Sequence, residues 1–161
     1  MLKRMYIETS IPSFHYTART DTESLSRMHW TRRWWSECAP CYSLTTSAAV
    51  IEELQAGTSE YTQDRLELIR RVELLDISEE VRQVTRMYIR RLVMPNDPAG
   101  DALHLAVASV HKVDVLLTWN CRHLANPNKF DHIRAVNGEL GLPTPLLTTP
   151  VNFLSGEEHH G

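Results

Sequence analysis

The sequence lacks any apolar run long enough to cross a membrane, and its six glycines never gather into a phosphate-cradling loop. The first absence argues against a membrane protein. The second argues against a dinucleotide-binding Rossmann enzyme, because no Gly-rich loop follows the first strand. No internal repeat, low-complexity tract or convincing linker is present, and no Ser/His/Asp or Cys/His set demands a covalent nucleophile. An excess of basic charge is also missing: net charge is −3, which does not suit a generic nucleic-acid binder. A local basic track needs less, and Arg32-Arg33, Arg70-Arg71 and Arg90-Arg91 are its candidates, although each reads more readily as an ordinary solvated helix face. Met1-Leu-Lys-Arg leads straight into a strand, so no signal peptide is expected and the protein is placed in the cytoplasm. With 161 residues and 42% apolar content, the chain suits one domain over 1–155 and a frayed tail over 156–161.

What is present is most informative between Asp101 and Asn120. An acid opens a helix of small and apolar residues (Ala102, Leu105, Ala106, Ala108, Ser109), and an apolar run, Val113 to Leu117, ends in polar Thr118 and Asn120. Such a run marks a strand buried in a parallel sheet. Asp101 alone reads as a helix cap. Sites in open α/β sheets, however, gather at the carboxyl ends of strands. Met5-Tyr6-Ile7 is a second brief strand, with Glu8-Thr9-Ser10 at its carboxyl end and Pro12 breaking the pattern beyond. A third strand through Tyr42, Leu44 and Thr45 leads to a helix that Thr46 or Ser47 caps and Gly57 ends. On that helix Glu53 lies one turn from Ala49 and Val50 and points to the packed side, whereas Glu52 faces solvent.

Tyr6 through Phe14, Ser47 through Gly57 and Gly100 through Asn126, in this order, resemble the PIN-domain ribonucleases, and most nearly the VapC-like toxins of toxin–antitoxin pairs. The resemblance covers nearly the whole chain. It implies an α/β three-layer fold with a central parallel sheet flanked by helices. Carried over residue by residue, the first acid of the family is Glu8 before Thr9, the second Glu53, and the third Asp101. The last strand ends Thr118-Trp119-Asn120, with His123 in the later position. Two positions depart from the pattern: Glu8 stands where Asp is usual, and Asn120 is neutral.

The resemblance implies a metal-dependent endoribonuclease using Mg2+ or Mn2+, hard ions that take oxygen ligands. Asp101 and Glu8 would bind the metal directly, and Glu53 would act through a water or as a water-orienting base. Asn120 would offer its amide oxygen to a ligand water or the substrate. Thr9 would hydrogen-bond the first acid, Thr118 would be a substrate-side or accessory residue at the strand end, and His123 would touch the scissile phosphate. RNA, a small antitoxin and a second copy of the chain are the implied partners. In this family the early helices form the antitoxin groove and part of the dimer surface. A different class of function, a PIN scaffold that binds without turnover, shares the same residues.

The remaining pattern fills in the architecture. Asp21 to Ser36 reads as a helix with Trp30 and Trp34 one turn apart, and Thr62 to Leu74 as another. Leu74 to Ile77 suits a short strand, and a helix begun at Ser78 runs toward Met94, where Pro95 stops it. Asn96-Asp97-Pro98 is a loop, Leu146-Leu147 a last strand, and Thr149-Pro150 the cap of a short final helix. Cys38-Ala-Pro-Cys41 has the spacing of a dithiol or half a zinc site that Cys121 and His123 would complete. It ends a helix and precedes a strand, the reverse of thioredoxin order, and buried, reduced cysteines are the expected state.

Overall fold

The computed structural model describes residues 1–91, 93–94 and 100–154. Five strands form one sheet: β1 Lys3–Ile7, β2 Tyr42–Ser47, β3 Glu73–Leu75, β4 Val115–Leu117 and β5 Leu146–Thr148. All pairings are parallel, in the order β3-β2-β1-β4-β5. The order reverses at β1, so the crevice outside β1 and β4 is the topological switch point where α/β sheets hold ligands.

The helices are α1 Ser10–His15, α2 Thr22–Glu37, α3 Ala48–Ala56, α4 Thr62–Leu68, α5 Glu79–Arg90, α6 Asp101–Val110, α7 Pro127–Glu139 and α8 Val151–Leu154. Alternation along the central strands sorts them into two layers. Tyr6 and Leu116 join one core with α3, α5, α6 and α7, while Met5, Ile7, Val115 and Leu117 join the other with α1, α2 and α8. The three-layer α/β architecture expected from the sequence is therefore the one observed.

Several boundaries differ from the sequence reading. Pro12 does not end the first motif; it sits in the first turn of α1, where a missing N–H costs no helical bond. The helix expected from Thr62 to Leu74 stops at Leu68, and its last apolar residues turn into β3. The helix from Ser78 ends at Arg90, closed by Val93 N–H bonding to Tyr88 C=O at 2.8 Å. Pro95, the 96–98 loop and the 156–161 tail lie outside the described residues. Ser78 and Asp21 cap their helices by accepting from Val81 N and Ser24 N. Trp34 is fully buried and Trp30 packs beside it, as expected of a core stripe, but Leu25 is exposed. α7 has no counterpart in the sequence reading, although Asn126 caps it and Pro127 opens it.

The layer of α5, α6 and α7 is pinned by one buried amide. Asn137 accepts from the Tyr88 hydroxyl at 2.6 Å and donates toward Ser109 Oγ and Thr144 Oγ1, both at 3.2 Å. Removing it takes the close acceptor from a buried phenol and leaves Ser109 as its remaining polar neighbour, so Asn137→Ala should lower unfolding free energy by about 1–3 kcal/mol. A double-mutant cycle with Tyr88→Phe should then show clear non-additivity. Additive effects in denaturant titrations would mean the amide does not join these helices.

Candidate active site

The switch point is tied together by one carboxylate oxygen. Glu8, just past β1, is buried, and its Oε1 accepts from Thr118 Oγ1 at 2.6 Å, from Ser10 N at 3.1 Å and from the Ser10 hydroxyl. Ser10 Oγ in turn accepts Trp119 N–H at 2.7 Å, and Thr118 Oγ1 accepts Asn120 N–H at 2.9 Å. Each donor is itself polarised by the next, which strengthens the whole knot. The other oxygen of Glu8 accepts no hydrogen bond among the described residues. Thr118 therefore supports the first acid, while Thr9 does not. Thr9 Oγ1 is buried without a partner, and the bond expected from it comes from Ser10, one residue on.

Asp101 is the first residue of α6 and not its cap. The cap position is Gly100, whose φ of 96° lies where side chains are rarely tolerated, and no side chain closes that helix end. The carboxylate of Asp101 accepts no hydrogen bond among the described residues, so the bland capping reading fails. Asp101 acts electrostatically on Lys129, in the first turn of α7: burial lowers the Lys129 pKa while Asp101 opposes that shift.

Glu53 reaches inward from an exposed position on α3 to His104 Nε2, and His104 itself is fully buried. The imidazole Nδ1 meets Tyr6 Oη at 2.7 Å, and Tyr6 Oη meets Ser47 Oγ at 2.8 Å. Glu53 thus points to the packed side, as its spacing suggests, and Glu52 faces solvent. Ser47 precedes α3 but spends its hydroxyl on Tyr6 and does not cap the helix. Burial disfavours the His104 cation, yet the Glu53 hydrogen bond and the fields of Glu8, Glu53 and Asp101 outweigh it and raise its pKa. The three acids picked from the sequence therefore all act on one imidazole. Sequence reasoning missed that imidazole, although a histidine three residues after Asp101 falls on the same helix face.

Asn120 has another use. Its Oδ1 accepts His123 N–H at 2.9 Å and Arg122 N–H at 3.2 Å, which closes the turn after β4 and occupies both lone pairs. The expected offer of that oxygen to a ligand water is at odds with this geometry. His123 lies in the same turn, partly buried. No group of three or more His, Cys, Asp or Glu among the described residues is arranged to hold a metal ion. That applies to Cys38, Cys41, Cys121 and His123 as a zinc set as well. Contrary to expectation, the cysteines are not buried: Cys41 and Cys121 are exposed and Cys38 partly so, the Cys-x-x-Cys spanning the 3-10 turn between α2 and β2 and Cys121 lying in the turn after β4. Of the candidate basic track, Arg33, Arg70 and Arg91 are paired with Glu37, Glu67 and Glu139.

Fold and crevice together define a PIN-like α/β domain. No family model and no curated protein matches the sequence. Among solved structures, VapBC2 from Rickettsia felis, bound to a DNA fragment from their promoter, is similar at a TM-score of 0.58 and 17% identity. The match covers 91% of this chain and 98% of that one. The shared feature is the VapC-like PIN fold. No described helix is long and apolar enough to cross a membrane.

Because its folded pKa is raised, His104 adds stability that is complete below its ordinary value of 6.5 and is lost as pH rises through the higher folded value. In metal-free buffer, Glu53→Gln should lower the melting temperature at pH 6 more than at pH 9. Equal losses at both would show that the pair does not hold a proton in the folded state.

Proposed function

We propose that the protein is a metal-dependent endoribonuclease, the toxin of a toxin–antitoxin pair, acting in the cytoplasm on RNA phosphodiesters. The observation that carries this reading is the geometry at the switch point of a VapC-like fold, where buried Glu8 keeps one oxygen open, Asp101 begins α6 and His104 of the same helix holds Glu53. A small antitoxin and a second copy of the chain are its expected partners.

The donor set suits Mg2+ or Mn2+. Asp101 and the free oxygen of Glu8 are hard, anionic ligands, and magnesium needs only one or two carboxylates besides water and phosphate. The bound ion would supply a water of lowered pKa and neutralise charge developing on the phosphate. The protein's own part is orientation. Ser10 and Thr118 fix one oxygen of Glu8 and so aim the other, while His104 restrains Glu53, placed to orient the attacking water or take its proton. Thr9, Asn120 and His123 remain as substrate-side or turn-forming neighbours.

A second reading, a PIN scaffold that binds without turnover, is favoured by one observation. Hydrogen bonds within the protein already take one oxygen each of Glu8 and Glu53 and both lone pairs of the Asn120 amide oxygen. Little capacity is left beyond a single ion.

The purified protein, free of antitoxin, should cleave mixed single-stranded RNAs with manganese, and Asp101→Asn should abolish cleavage while the protein remains folded. Cleavage that survives in Asp101→Asn refutes the site. No cleavage by the wild type together with no manganese binding in calorimetry selects the binding scaffold. Glu8→Asp restores the acid usual in the family but withdraws the carboxylate from Ser10 and Thr118. It should retain cleavage while losing about 1–2 kcal/mol of stability, and complete loss of activity would place the first acid elsewhere.

A further inference from the structure

The acidic crevice repels a polyanion, and the rim beside it carries groups that the proposed chemistry does not use. α1 begins two residues after Glu8, so it stands at the carboxyl end of the sheet. It belongs to the layer of α2 and α8, yet it packs against α4, whose Leu66 joins the opposite layer. The two helices therefore meet over the strand ends, alongside the crevice.

Where they meet, Tyr16 and Tyr61 stack, with ring centroids 6.4 Å apart and planes 26° apart. The Arg32 guanidinium lies 5.6 Å from the Tyr16 centroid, and its Nε donates to His15 O at 2.8 Å. From the other side, Arg65 donates to Tyr16 O at 2.9 Å and to Ser13 O at 3.1 Å. Both tyrosines and Arg65 are partly exposed, and Arg32 is exposed.

Capping the C-terminus of α1 is the plainer account of the two arginines. It does not explain their charges. Neither makes an ion pair among the described residues, and unlike the other unpaired arginines both flank the Tyr16 ring or its backbone. Burial works against the Arg65 cation, and no carboxylate among the described residues offsets it. A guanidinium has five N–H donors. The bonds above use one on Arg32 and two on Arg65. His15 adds a ring but no charge, since burial and Arg32 hold its pKa down at about 4.

We propose that Tyr16, Tyr61, Arg32 and Arg65 form a subsite for single-stranded nucleic acid, in which unpaired bases extend the tyrosine stack and the arginines take phosphates. The strand would run along α1 from this rim to Glu8, about 9 Å for six helical residues. As the substrate-binding arm of a nuclease, the subsite rests on the function proposed above, but binding itself needs no metal. Stacking is open only to unpaired bases, so duplex is excluded.

The test is fluorescence anisotropy of a labelled single-stranded oligoribonucleotide, and of its duplex, in EDTA where metal-dependent cleavage is off. Wild type should bind the single strand in preference to the duplex. Tyr61→Ala should weaken binding about tenfold, while Tyr61→Phe, which keeps the ring, should bind as wild type. Arg32→Gln should flatten the dependence of log K on log salt by about 0.7 for one lost phosphate contact. Melting temperatures of all variants guard against misfolding. Wild-type-like binding by folded Tyr61→Ala and Arg32→Gln, or equal binding of duplex, overturns the subsite. The nuclease reading has its own readout: loss of binding in the rim variants with no manganese cleavage by the wild type would keep the subsite and remove the nuclease. Manganese cleavage that needs Asp101 but ignores the rim variants would do the reverse.

Discussion

The hydrogen bonds that converge on Glu8 Oε1 are the constraint on which the site depends. β1 and β4 are neighbours that the chain reaches more than a hundred residues apart, and nothing covalent fixes the relative position of their carboxyl ends. The ladder itself stops with Glu8 N–H on Leu117 O at 3.2 Å. Beyond that point Ser10, Thr118 and Trp119 continue the connection through side chains, with the buried carboxylate at the centre. A carboxylate this deep would be costly to bury without such donors. The same bonds set the start of α1 and the direction of the turn after β4.

A consequence is a division of labour within each acid. Glu8 uses one oxygen as scaffold and keeps the other available. Glu53 is anchored by a buried imidazole that Tyr6 and Ser47 hold from behind, so an otherwise solvent-exposed side chain has a fixed end. Asp101 is the least encumbered, because Gly100 rather than Asp101 terminates its helix. On the function proposed above, Glu8 and Glu53 would be oriented by Ser10, Thr118 and His104, residues that do not themselves reach the ion, in the manner of outer-shell partners at metal sites.

The elements that the sequence made legible are those whose pattern is both local and extreme. β4 is wholly apolar, β1 ends in the apolar run Met5-Tyr6-Ile7, both give way abruptly to polar residues, and α6 is packed with small side chains; each leaves a mark within a few residues. Glu8, Glu53 and Asp101 were found because ordered motifs singled them out, not because any one acid is unusual. Boundaries failed where tertiary bonds override local preference. Leu66, Ile69 and Leu74 share a helical spacing, yet the chain leaves the helix at Leu68 to supply β3. Pro12 reads as a breaker until its place in a first turn is known. α7 was announced by Asn126-Pro127, but its apolar face is thin, with only Ile133, Val136 and Asn137 buried. His104 was hidden inside a strongly apolar helix, where a histidine reads as part of the core. Its partners lie 51 and 98 positions away, a separation no local pattern reveals.

Charge placement resolves an apparent conflict in composition. A chain of net charge −3 is a poor general partner for a polyanion. With three acids at the strand ends, the crevice is worse still until a cation occupies it. Affinity for a nucleic acid therefore has to come from somewhere other than the reacting centre. Arg32 and Arg65 stand at the rim without an ion pair among the described residues, beside aromatic faces that recognise bases without regard to sequence. Binding energy gained there can bring a phosphodiester into a crevice that would otherwise repel it, which is the use catalysis makes of contacts remote from the chemistry. On this account metal and strand are held by different parts of the molecule, and the hydrogen bonds from Ser10 and Thr118 to Glu8 join the two.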